Sequence, residues 1–90
     1  MSLPFEQIKI SDRSFIRKFS SNLEGEELYW HKDRRDRVVK IISGSGWMFQ
    51  EENKVPVELF PGYEFLIKKE TWHRIIRGFD DLNIFIEEKE

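Results

Sequence analysis

Residues 37–50, with the sequence RVVKIISGSGWMFQ, decide the fold. The first part, Arg37–Ile42, is rich in valine and isoleucine, which favour extended strands. Gly44–Gly46 follows, a Gly-Ser-Gly run with the composition of a tight turn. The run lacks the Lys-Ser/Thr of a phosphate-binding loop, so we interpret it as a hairpin connection. Gly46–Gln50 begins the next strand, and the whole segment therefore predicts two consecutive β-strands.

Short apolar or alternating segments continue on both sides of this hairpin and are separated by turn residues. They are rich in Val, Ile, Phe, Trp or Tyr, as strands are. The further predicted strands are Leu28–Lys32, Val55–Phe60, Tyr63–Lys68, Trp72–Arg77 and Leu82–Glu87. This succession predicts an all-β fold, a small antiparallel β-barrel or jelly roll.

The N-terminal segment has two interpretations. Gln7–Ile10 has the pattern of a strand. Asp12 is a candidate cap for a short helix, with these apolar positions at helical spacing: Phe15, Ile16, Phe19 and Leu23. The alternation of Phe15, Arg17 and Phe19 also fits a strand. The sequence leaves open whether the domain starts with a short helix or a strand.

The composition restricts the class of protein. The chain has 90 residues, which we assign to one domain spanning 1–90, and its formal charge is -2. This charge argues against a strongly basic nucleic-acid binder, and no apolar stretch approaches the ~20 residues of a membrane span. The absence of cysteine excludes a disulfide framework, a thiolate nucleophile and a zinc finger. The first residues lack the pattern of a signal peptide, so we expect a cytoplasmic location and no membrane partner.

In the predicted strands, ionisable side chains share a face with the apolar residues expected to form the core. In the two strands before and after the turn near residues 33–36, Tyr29, His31, Asp33 and Arg37 have one parity. His73 and Arg77 share a face in a later strand. Since unpaired buried charge is costly, this pattern suits a barrel whose open end binds a ligand. The candidate ligand-binding residues are Tyr29, His31, Arg37, His73 and Arg77.

The spacing of these residues resembles the first motif of the cupin superfamily. Gly25 is followed after five residues by His31-Lys32-Asp33, after three more by Arg37 and after six more by Gly44. A Trp-His pair at Trp30 and the strand ending in Gly-Ser-Gly are also similar to the family. In the family pattern the positions of His31, Asp33 and Arg37 hold His, His and Glu. We place this motif at about residues 25–44.

A second motif of the same family fits residues 62–77. Gly62 is followed after five residues by Lys68-Lys69-Glu70, after two more by His73 and after three more by Arg77. The family has Pro-x-Gly, His and Asn at the last three places. The resemblance covers about residues 25–78 and implies a cupin fold.

The resemblance implies a divalent metal, and this chain retains part of the ligand set. Carried over by position, the ligands are His31, Asp33 and His73, two imidazoles and a carboxylate suited to Fe, Mn, Ni or Zn. Arg37 stands at the position of the fourth ligand and cannot bind a metal. A register shifted by two would place Tyr29 and His31 on the His-x-His pair, but it breaks the spacing from Gly25.

Three functions remain open. In the first, the metal binds a small, anionic molecule in the barrel, with Tyr29 or His31 handling protons if the protein is an enzyme. In the second, a metal-free sensing module binds a carboxylate or phosphate through Arg37 and Arg77. The third, which the interleaved acids disfavour, is a single-stranded nucleic-acid-binding barrel that uses the basic cluster around Arg34 and Arg35.

Two further expectations concern the surface. Apolar residues on both strand faces, among them Val38, Ile42, Trp72 and Ile76, predict a homodimer. The acidic terminus 87–90 is expected to be a frayed, solvated end.

Overall fold

The computed structural model describes residues 5–22 and 29–89, and within them every regular element is a β-strand. The eight strands are β1 (Phe5–Lys9), β2 (Ser14–Phe19), β3 (Arg37–Ser43), β4 (Met48–Glu51), β5 (Val57–Glu58), β6 (Glu64–Ile67), β7 (His73–Ile76) and β8 (Leu82–Glu88). No helix in this part of the chain is long and apolar enough to cross a membrane.

The strands form two antiparallel sheets. The larger sheet has the order β1-β2-β8-β3-β6 and the smaller sheet has the order β5-β4-β7. Chain connections such as residues 44–47, between β3 and β4, carry the backbone from one sheet to the other. The all-β, antiparallel prediction is confirmed, but the described strands do not join the two sheets into a closed barrel. The molecule is therefore a two-sheet arrangement of the jelly-roll type.

The N-terminal segment is a strand, so the helical alternative for residues 12–23 is wrong over the described part. Antiparallel pairing of β2 with both β1 and β8 satisfies its backbone. The pleat also turns Phe15 and Phe19 into the core, where both are buried. Leu23, the last helical position considered, lies outside the described residues.

Two predicted strands are much shorter in the structure. Of Leu28–Lys32, only His31 pairs with another strand, and Leu28 lies outside the described residues. The predicted strand Val55–Phe60 is reduced to Val57–Glu58. Pro56 explains why the strand does not begin at Val55, because proline has no N–H to donate to a sheet.

The core lies between the two sheets and is closed at one end by the loops around Trp47. Trp47 is 0% exposed, and its indole Nε1 donates a hydrogen bond to the Asp80 carbonyl oxygen at 2.6 Å. The Asp80 carboxylate accepts a hydrogen bond from the Ser45 backbone N–H at 2.7 Å. A Cβ on Gly78 would lie 2.4 Å from the Trp47 ring, so only glycine permits this approach. We call this region the closed end.

Of the C-terminal residues expected to fray, Glu87 and Glu88 do not, and Glu90 lies outside the described residues. Glu87 and Glu88 belong to β8, where Glu88 is the cross-strand partner of Arg37. The sequence interpretation overlooked that β8 must extend to Glu88 to pair with the start of β3. The predicted homodimer stays a prediction.

Candidate metal centre

The two histidines of the chain meet in one backbone bridge at the end opposite Trp47. His31 N–H donates to the His73 carbonyl at 2.9 Å, and His73 N–H donates to the His31 carbonyl at 2.8 Å. This pairing brings the ring centroids to 4.4 Å, with the rings edge to face. His73 is 3% exposed, so its side chain points into the space between the sheets. The region around this bridge is called the site end below.

Backbone carbonyl oxygens orient both imidazoles. The Nδ1 atom of His31 lies 3.0 Å from the Tyr29 carbonyl oxygen, and Nδ1 of His73 lies 2.9 Å from that of Thr71. Because a carbonyl oxygen only accepts hydrogen bonds, each Nδ1 must carry the proton. In the neutral rings the lone pair is then on Nε2, which is the nitrogen that can bind a metal.

The loop between His31 and β3 positions Asp33 beside the histidines. The Asp33 carbonyl accepts a hydrogen bond from the Glu70 N–H at 2.7 Å. The Asp36 carboxylate accepts one from the Lys69 N–H, also at 2.7 Å. Glu70 has a φ of 60°, in the left-handed region that favours glycine, and the family motif has a glycine at this position. Glu70 therefore occupies a backbone conformation typical of glycine, at the position where the motif has one.

His31, Asp33 and His73 bring three potential ligand atoms together, all within 4.8 Å of one another. Asp33 Oδ2 lies 3.3 Å from His73 Nε2. Among the described residues, Asp33 Oδ2 is the buried side-chain oxygen that accepts no hydrogen bond. With Nδ1 protonated and the ring neutral, the oxygen and Nε2 face each other as two lone-pair donors, an arrangement that either a metal cation between them or a proton on Nε2 would satisfy.

Arg37, which stands at the fourth ligand position, is paired with Glu88 and lies beside Asp33. Its Nη2 and Nε atoms donate to Glu88 Oε2 at 3.0 and 3.2 Å. Its Nη1 atom lies 3.5 Å from Asp33 Oδ1, the oxygen opposite the orphaned one. Glu88 thus offsets the positive charge that Arg37 would otherwise place near a bound metal. Sequence reasoning missed Glu88, and the pairing of β3 with β8 is the signal that identifies it.

The charge environment keeps Asp33 ionised. Burial raises its pKa, but the contact with His73, the Arg37 guanidinium and the positive charge that the imidazoles carry when they are protonated outweigh burial and lower it below its ordinary value. The Asp33 side chain is 13% exposed, so these contacts act with little screening by water. A carboxylate that remains ionised is the form that binds a metal.

A cavity of about 50 Å³ extends from these residues into the core. Its polar wall consists of Arg17, His31, Asp33, Arg37 and His73, and the rest of the lining is apolar. Sequence reasoning missed Arg17, whose guanidinium carbon lies 4.1 Å from the ring centroid of Phe5 and 4.9 Å from that of Phe15. The sequence could have indicated it, because Arg17 alternates with Phe15 and Phe19 and therefore lies on the same face of β2.

Two predicted ligand-binding residues are not among the described residues that line this cavity. The Tyr29 side chain is 68% exposed, and the residue contributes its carbonyl to His31 instead. Arg77 is exposed just beyond β7. The structure thus brings together His31, Asp33, Arg37 and His73. Gly25, from which the first motif was counted, lies outside the described residues.

The fold is similar to those of several solved cupin structures. No family model and no curated protein matches the sequence. A cupin-2 domain protein from Shewanella frigidimarina superposes with a TM-score of 0.69 at 19% identity, covering 94% of this chain and 79% of the other. An RmlC-like cupin with a double-stranded β-helix fold, from Methanocaldococcus jannaschii, gives 0.69 at 17% identity, covering 93% and 76%.

The DMSP lyases RdDddP and RnDddQII give the higher TM-score of 0.74 at 17% identity. The match covers 87% of this chain but only 38% of the lyase chain. At these identities the similarity establishes the fold of this chain and not its activity.

Proposed function

We propose that this chain, a small domain with the cupin fold, holds one divalent transition metal through His31, Asp33 and His73 and binds a small anionic molecule beside it. The observation that carries the proposal is the orphaned Asp33 Oδ2, buried 3.3 Å from His73 Nε2. A buried carboxylate oxygen without a hydrogen bond is costly, and a metal ion is the partner that its neighbours suit.

The donor set fits the group that the fold implies. Two imidazoles and one carboxylate are the ligands of facial-triad iron sites and also suit Mn, Ni or Zn. A metal bound there would supply a Lewis-acid centre with positions left for water or a ligand. The chain's own residues orient the site: the carbonyls of Tyr29 and Thr71 fix the imidazoles, and Arg37 holds Asp33 by its other oxygen.

The charge and size of the cavity support a small anion as the second ligand. Arg17 and Arg37 line the same cavity as the three potential metal ligands. A volume of about 50 Å³ accommodates only a few water-sized groups. We therefore propose a carboxylate or another oxyanion of few heavy atoms.

The metal-free alternative has less support. Arg37 already has Asp33 and Glu88 as partners, and Arg77 is not among the described residues lining the cavity. An anion held without metal would therefore have to replace Glu88 at Arg37. The nucleic-acid alternative stays a prediction, with Arg34 and Arg35 exposed.

Elemental analysis of the purified, untagged protein tests the metal proposal. We expect near-stoichiometric divalent metal in the wild type and its loss in His73→Ala. Asp12→Asn, which removes a fully exposed carboxylate elsewhere, should retain the metal. If no sample holds metal and added Mn, Fe, Ni or Zn leaves the melting temperature unchanged, the metal proposal is wrong.

A thermal-shift screen of small carboxylates and phosphates then tests the anion proposal. We expect the metal-loaded protein to be stabilised and the metal-free protein to respond weakly. Equal stabilisation of both forms, abolished by Arg37→Ala, would favour the metal-free module instead.

A further inference from the structure

The outer face of the smaller sheet carries a cleft between two tryptophans, on the opposite side from the histidines. Because alternate residues of paired strands point to opposite faces, the neighbours of His31 and His73 are directed outward. The described residues that line the cleft are Trp30, Trp72 and Glu52, and its volume is about 230 Å³. The Glu52 N–H donates to the Trp72 carbonyl at 2.9 Å, which holds the backbone of Glu52 next to that of Trp72.

We propose that this cleft binds a small quaternary ammonium cation between Trp30 and Trp72, with Glu52 as the counter-charge. Both indoles are 41% exposed, so a large part of each ring is accessible from solvent. An indole presents the most negative face of any side-chain ring and attracts cations within about 6 Å. Two such rings beside one carboxylate therefore form a site for positive charge.

Each indole already attracts a cation of the chain itself. Lys32 Nζ lies 5.3 Å from the Trp72 ring centroid, and the Arg74 guanidinium carbon lies 5.0 Å from that of Trp30. Neither cation is among the described residues lining the cleft. Lys32 also pairs with Glu70 at 3.4 Å, which offsets its repulsion of a second cation.

The chemistry of the cleft favours a methylated ammonium over a primary amine. A primary ammonium group is strongly hydrated and needs several hydrogen-bond acceptors when it leaves water. The described lining offers one carboxylate and two aromatic rings. A quaternary ammonium group has no N–H to satisfy, and its methyl groups can contact the rings directly. The volume is below the ~300 Å³ of ordinary small-molecule pockets, which limits the ligand to a head group.

Titration with choline chloride, followed by tryptophan fluorescence, tests this inference on the full chain. Trp47 is fully buried, so a change on titration reports Trp30 and Trp72. We expect saturable binding with a dissociation constant on the order of millimolar. Sodium chloride at the same ionic strength and the neutral carbon isostere of choline, with a tert-butyl group in place of trimethylammonium, should not saturate.

Three variants assign the binding to the cleft. Trp72→Leu and Glu52→Gln should each raise the choline dissociation constant, by about two- to fivefold for the ring. Phe79→Leu, which removes an exposed aromatic ring near the closed end, should leave it unchanged. Equal binding of the neutral isostere, or no effect of Trp72→Leu and Glu52→Gln, would overturn the proposal. Chemical shifts of the indole N–H groups provide a second readout for Trp72→Leu.

Discussion

The two ends of the space between the sheets differ in whether their buried polar atoms have hydrogen-bond partners. At the closed end, Trp47 is completely buried and its one polar atom has a partner in the Asp80 carbonyl. At the site end, Asp33 Oδ2 is buried without a hydrogen bond beside His73. An end whose buried polar atoms are all hydrogen-bonded stabilises the fold. An end with a buried acceptor that has no hydrogen bond has the property expected of a binding site.

The largest expected effect belongs to the closed end. Trp47→Ala should lower the free energy of unfolding by about 3–5 kcal/mol, because it removes a fully buried side chain and leaves a cavity. Chemical denaturation monitored by circular dichroism measures this loss. Trp47→Phe keeps most of the volume and provides a folded variant if Trp47→Ala does not fold. The folded variant should keep its metal stoichiometry, since loss of metal without unfolding would mean that the two ends are not independent.

The matching change at the site end is Asp33→Asn. We expect metal affinity to fall by at least roughly 100-fold, the upper end of effects seen for groups outside the ligand set. The metal-free protein should lose about 1 kcal/mol or less, because the amide can donate a hydrogen bond to the neighbouring imidazole nitrogen. Competition with a chelator measures the first quantity and urea unfolding the second. A large loss of stability with unchanged metal affinity would instead place Asp33 among the structural residues.

Substitutions of Arg37 and Glu88 should have smaller effects on metal affinity, in opposite directions. Arg37→Met removes a positive charge near Asp33 and should raise metal affinity, whereas Glu88→Gln leaves that charge uncompensated and should lower it, each by about tenfold. In the Arg37→Met background the effect of Glu88→Gln should shrink, since Glu88 acts by neutralising Arg37. Equal effects of Glu88→Gln in both backgrounds would contradict this role.

The sequence predicted those features that depend on local patterns. Arg37–Ile42 and Leu82–Glu87 are rich in residues that favour strands and correspond to β3 and β8, and the motif spacing predicted the cluster of His31, Asp33 and His73. Glu88 was missed because its role depends on the register between β3 and β8, which no local pattern contains. Arg17 was missed for a related reason, because its contribution requires knowing that β2 faces the cavity. Long-range pairing therefore limited the prediction.

The smallest predicted effect is the pH dependence that Asp33 gives to the metal-free site end. Its pKa is lowered in the folded state, because the His73 contact and Arg37 outweigh the effect of burial. Its stabilising contribution is therefore complete above the unfolded-state pKa of about 3.9 and is lost as pH falls through the lower folded-state value. Urea unfolding of wild type and Asp33→Asn, both with chelator, measures the difference between about pH 6 and about pH 2.5.

We expect the difference in unfolding free energy between wild type and Asp33→Asn to be constant near neutral pH. In acid the wild type should lose stability relative to Asp33→Asn. Asp12→Asn is the matched control, because Asp12 is fully exposed and its replacement should leave the acid profile of the wild type unchanged. A constant difference between wild type and Asp33→Asn throughout the range would mean that the imidazoles and Arg37 do not stabilise the ionised Asp33. The orphaned oxygen would then no longer mark a site prepared for a cation, and the contrast with the closed end would lose its electrostatic basis.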